Sequence, residues 1–95
     1  MSEPTETVTL TLSTGESGAV VAWDGAVLVF SSPRAFAPGA PIKLSLALAD
    51  APADLELKAI GSRRAEGEAL FQIRARAMNL RRELRLRLDA ALRVG

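Results

Sequence analysis

Four arginines, Arg63, Arg64, Arg74 and Arg76, are the side chains of this sequence best suited to chemistry. Guanidinium forks grip phosphates and carboxylates with paired, charge-assisted hydrogen bonds. If the two segments that carry them pair as a hairpin, the four lie near one another and could hold an anion such as a nucleotide. Trp23, beside Asp24-Gly25, is the next candidate. Tryptophan is enriched at binding hot spots and can stack on bases, but it is as often a core residue. Leu86 is the third, an apolar residue set among Arg81, Arg82, Arg85 and Arg93.

The remaining chemistry is thin. Cysteine and histidine are both absent, which removes disulfides, thiolate nucleophiles, Cys/His zinc sites and the commonest general base. Ser31, Ser32 and Ser45 have no evident base, and Asp50 and Asp54 flank a turn, where aspartate usually serves the backbone. No calcium loop, P-loop or GxGxxG run occurs. The expectation is a protein that is not an enzyme and has no metal or cofactor. Missing cysteines fit a reducing cytosol, no run is long enough to span a membrane, and MSEPTET lacks the basic start of a secretory signal, so a cytoplasmic protein is expected.

Charge is uneven. Residues 1–70 carry nine acids and five bases, net −4, whereas residues 74–95 carry seven arginines against Glu83 and Asp89, net +5. Such asymmetry can mark a partner surface or a merely solvated strand and helix.

The elements that must position these residues are short. A flexible tail is expected over 1–6 and one domain over 7–95. Thr7 to Ser13 alternates, with Val8, Leu10 and Leu12 on one face, and is read as a half-buried strand. The Thr14–Gly18 stretch reads as a turn. Ala19–Trp23 and Ala26–Phe30 are β-prone runs joined by Asp24-Gly25, a strong hairpin signal. Pro41–Ala49 alternates again. Leu55–Arg64 and Ala69–Met78 form a further pair, with Phe71, Ile73, Ala75 and Ala77 facing inward. The period then changes. Leu80, Leu84, Leu88, Ala91 and Leu92 make one apolar stripe, so a helix is expected over about 79–94 with Asn79 as its N-cap and Leu86 exposed. Six short strands with tight turns and one C-terminal helix predict a mainly β fold, a small barrel or sandwich, with a barrel mouth the natural place for the helix to bury its stripe.

This order of elements resembles the PilZ domain over roughly residues 7–94. The resemblance rests on the Gly25 hairpin, the APGAPIKLSLAL segment, the following strand pair and the Arg/Leu-rich final helix. It implies a bacterial signalling protein with a six-stranded barrel and a capping helix. Typical members bind cyclic di-GMP through RxxxR before the barrel and [D/N]xSxxG in the hairpin between the second and third strands. Laid on VVAWDG, the second motif keeps Gly25 but has Val20 for Asp/Asn and Ala22 for Ser. The first has no counterpart, because the earliest arginine is Arg34. The resemblance therefore implies no cyclic di-GMP at the usual site. It implies instead an adaptor that contacts another protein in motility, pilus or surface-behaviour regulation. The alternatives are an atypical cyclic di-GMP receptor built on the four arginines, and a small barrel for single-stranded nucleic acid.

Overall fold

A computed structural model describes residues 8–48, 51–64, 67 and 69–92. The expected tail at 1–6, Asp50 and the end of the expected helix at 93–94 lie outside the described residues.

Six antiparallel strands close into a barrel: β1 (Thr9–Leu12), β2 (Ser17–Trp23), β3 (Val27–Ser32), β4 (Pro41–Leu46), β5 (Ala53–Arg63) and β6 (Phe71–Met78), followed by helix α1 (Arg82–Ala91). The order around the barrel is β1-β2-β3-β6-β5-β4, with β4 returning to β1. Every strand has two neighbours, so no sheet edge is left for another chain to extend. Strict alternation of apolar and polar residues drives this in β1, β4, β5 and β6, whose inward side chains include Leu10, Leu12, Ile42, Leu44, Leu46, Leu55, Leu57 and Ile73. Fully burying a side chain of that size contributes roughly 1.5–3 kcal/mol.

Two strands do not alternate throughout. In β2 the register shifts between Val20 and Ala22. Val20 pairs with buried Phe30 on the inner row, Ala22 pairs with Val29 on the outer row, and Trp23 pairs with buried Leu28. Val21 is the extra residue of a bulge. Without it Trp23 would share the parity of Val21 and face solvent; the bulge turns it inward. In β5 a second shift between Ala59 and Gly61 leaves Ile60 extra. It turns Ser62 toward Phe36 and leaves Arg63 on the outer wall.

Each end of the barrel is closed differently. At one end lie the β1–β2 turn, the β3–β4 loop and the β5–β6 turn. Phe36 packs on the core there, and the Ser62 hydroxyl clasps it, accepting from its N–H at 2.8 Å and donating to its carbonyl at 2.7 Å. At the other end α1 lies over the core, burying Leu88 and Leu92, with Leu80 and Leu84 partly buried beside them. Hydrogen bonds among the described residues help to hold it: the Trp23 indole N–H donates to Asp89 at 2.8 Å, Arg85 donates to the Gly25 carbonyl at 3.0 Å, and Arg87 to the Ala51 carbonyl at 2.8 Å.

The helix start differs from the expectation. Asn79 is no cap; it sits at φ 49°, a left-handed position that asparagine tolerates, and reverses the chain out of β6. The helix begins three residues later, after Arg81, which makes no side-chain capping bond. Ala91, placed on the stripe by spacing, is exposed. Leu86 is exposed as expected, at 60%. No helix among the described residues is long and apolar enough to cross a membrane.

Candidate functional site

The β2–β3 hairpin carries the motif positions Val20, Ala22 and Gly25, and its groups are engaged in holding the fold. Val20 packs against the core, whereas Ala22 lies on the opposite face because the bulge intervenes. Residues two apart in an unbroken strand would share a face. Gly25 takes φ 100°, a left-handed backbone that favours glycine, and its carbonyl accepts from Arg85. The Asp24 carboxylate accepts from the N–H groups of Val27 at 2.7 Å and Ala26 at 2.9 Å.

Those two hydrogen bonds, Val27 first, hold the Asp24 carboxyl below the ordinary carboxylate range, with a smaller contribution from the Arg74 guanidinium. A group depressed on folding stabilises above its unfolded value and loses that contribution as pH falls through its folded value. Wild type should therefore lose stability relative to Asp24→Ala as pH drops below about 4. Urea unfolding of both chains from neutral to acid pH measures this, and a pH-independent difference would exclude it.

Trp23 is not the exposed platform weighed from the sequence. It is 7% exposed and tied to Asp89, so no face is free for a base or a partner. The serines are likewise structural. Ser31 accepts from the Ala19 N–H at 3.1 Å, and buried Ser32 accepts from the Arg34 N–H at 3.1 Å and donates to its carbonyl at 2.9 Å. Among the described residues no group of carboxylates is arranged to hold a metal ion.

The four arginines do gather on one wall, but in two sets. β5 and β6 pair as anticipated, and all four side chains are exposed. Arg63 faces Gln72, Arg74 lies between Val29 and Gly61, and Arg76 lies between Val27 and Lys58. Arg63 and Arg64 line a groove of about 500 Å³ with Val21, Leu70, Phe71 and Gln72, among others. Arg64 covers the Phe71 ring, its guanidinium carbon 5.4 Å from the centroid. Arg74 and Arg76 flank the groove along the wall without lining it. Leu86 belongs to the helix at the far end and takes no part.

Three residues of this wall escape a reading of the sequence. Val21, Ile60 and Leu70 are 48%, 39% and 44% exposed. Val21 and Ile60 stand out because each is the extra residue of a bulge, and the two bulges flank the same Val29–Arg74 pair. A glycine inside a strand pattern is a bulge signal, and Gly61 supplies it for β5; nothing comparable marks Val21.

Lys58 opposite Arg76 is a like-charge cross-strand pair, an arrangement that weakens a sheet. Arg76→Glu should stabilise the fold by roughly 0.5 kcal/mol, a few degrees in melting temperature. Thermal melts check it; a lower midpoint would show that the two charges do not repel.

A second pocket, about 590 Å³, lies on the other side of the barrel, where the segment after β6 turns back beside β1, β4 and β5. Its ionisable lining is mixed, with Lys43 and Arg81 set against Asp54 and Glu56. No family model, curated protein or solved structure matches the chain.

Proposed function

We propose that this chain is a divergent PilZ-like barrel that serves as a non-enzymatic adaptor in bacterial signalling. It holds another protein in motility, pilus or surface-behaviour regulation and takes no cyclic di-GMP at the β2–β3 hairpin. The closed six-stranded barrel with its C-terminal helix is the architecture that the resemblance implies. The observation that carries the reading is that the bulge sets the Asp/Asn and Ser positions of the hairpin motif on opposite faces. Val20 is on the inner row and Ala22 on the outer one, and neither has a polar atom to offer a base. Beside that hairpin, the wall leaves aliphatic Val21, Ile60 and Leu70 exposed among arginines, the composition of a contact surface rather than of a solvated face.

Arg63 and Arg64 sharing a groove with Gln72 favours a second reading, an atypical receptor for a phosphate-bearing nucleotide. Capture on the immobilised chain separates the two. The expected result is a protein from native lysate retained equally with and without saturating cyclic di-GMP. A protein held or released only when the dinucleotide is added would contradict the adaptor reading.

A further inference from the structure

We infer that the groove between Arg63, Arg64 and Leu70 receives a protein segment that alternates aliphatic and acidic side chains. This rests on the adaptor reading and specifies the partner's chemistry.

Three features of the wall point to that occupant. The first is charge. Lys58, Arg63, Arg64, Arg74 and Arg76 share the outer faces of β5 and β6 and the start of the turn between them, and no described carboxylate forms an ion pair with any of them. Glu56, opposite Met78, is the next outward residue beside Lys58 and offsets that end of the wall, and Asp24, held by its own turn, lies within electrostatic reach of Arg74; Arg63 and Arg64, which line the groove, have no described ion-pair partner. The turn adds Glu66 and Glu68, outside the described residues; over residues 63–76, four arginines against these two acids leave a net charge of +2.

The second feature is the groove's apolar lining. Val21 and Leu70 stand exposed on it, so an aliphatic side chain of the ligand would remove apolar surface from water on both partners. The third feature is the state of its aromatic ring. Phe71 is half-buried and Arg64 already covers its face, so the groove presents no open platform on which a base could stack. A nucleotide or single strand would have only the guanidinium groups to use, for phosphates and for stacking, and would leave the aliphatic lining uncovered, whereas a peptide with carboxylates and an aliphatic side chain uses both kinds of surface. Because every barrel strand already has two neighbours, the segment would dock by side chains and not as an added strand.

Amide chemical-shift titration of the full chain tests this with three synthetic probes: a short peptide alternating leucine and aspartate, the same peptide with lysine for aspartate, and the same with glycine for leucine. The first should shift the amides of Val21, Arg63, Arg64 and Leu70 to Gln72. Its affinity should fall roughly tenfold in Arg63→Glu/Arg64→Glu and severalfold in Leu70→Ser or at about 0.5 M salt. Thermal melts show that each variant remains folded. Equal shifts from the lysine or glycine peptide, binding unaltered in the arginine variant, or no shift up to about 1 mM peptide would each overturn the inference. The adaptor reading fails separately. A captured protein released by Leu86→Arg but held by Arg63→Glu/Arg64→Glu leaves an adaptor with its surface on the helix, and dependence of capture on cyclic di-GMP removes the adaptor itself.

Discussion

Trp23→Ala should remove about half of the domain's stability. The side chain is 7% exposed, pairs with Leu28 on the inner row, and reaches the helix through its indole N–H to Asp89. Truncating a buried tryptophan costs about 3–5 kcal/mol. A domain of this size has total stability on the order of 5–10 kcal/mol, so the loss is about half of the whole. The hydrogen bond itself is the smaller part. Trp23→Phe keeps most of the apolar body and loses the donor together with about a third of the ring, roughly 1–2 kcal/mol in all, the donor counting for little because Asp89 is exposed and water can satisfy it. Far-UV circular dichroism melts of the two variants give the ratio. Near-wild-type stability for Trp23→Ala would mean that the residue faces out and that β2 carries no bulge.

Gly18→Ala should be nearly as damaging, although it adds a single methyl group. A Cβ at Gly18 would stand 2.0 Å from the carbonyl oxygen of Ser31 and 3.3 Å from the Leu10 side chain. The oxygen is backbone of the neighbouring strand, so relief requires β2 and β3 to separate along the ladder that also carries the Trp23 bulge. Overpacked sites cost about 1–3 kcal/mol and more where backbone must move, and about 3 kcal/mol is expected here. Gly61→Ala is the control. It too is a strand glycine, but a Cβ there meets nothing within 4 Å. Chemical denaturation should show a large loss for the first and little for the second; equal effects would contradict the close approach at Gly18.

Both predictions turn on features that hydrophobic patterning does not reveal. Thr9–Leu12, Pro41–Leu46 and most of Ala53–Arg63 and Phe71–Met78 alternate so strictly that their inward faces can be read from the residues alone. The number of short amphipathic strands and the leucine spacing after Leu80 point to a barrel or a sandwich with one helix, and the pairing of β4 with β1 decides for the barrel. The bulge in β2, in contrast, changes parity by one residue and leaves no trace in composition. That is why Trp23 could be assigned to neither face beforehand, and why Gly18, read as part of a turn, lies inside β2. Asn79 misled for a related reason. Asparagine serves both as a helix N-cap and as a left-handed turn residue, and only the path of the chain decides between them.

The candidate site was legible to the same extent. That Arg63, Arg64, Arg74 and Arg76 would lie near one another follows from pairing the last two strands. The bulge at Ile60 moves Arg63 to the groove side beside Gln72 and leaves Arg74 opposite Gly61. The aliphatic half of the site, Val21 and Leu70, becomes visible only once β2, β3 and β6 are placed side by side.

The central claim is that the β2–β3 hairpin spends its polar groups on the fold and leaves none for a dinucleotide. Calorimetric titration of the full chain with cyclic di-GMP tests it most directly. No saturable heat is predicted at ligand concentrations up to about 100 μM. Saturable binding at about 10 μM or tighter, near −7 kcal/mol, with amide shifts confined to Val20–Gly25, would contradict it.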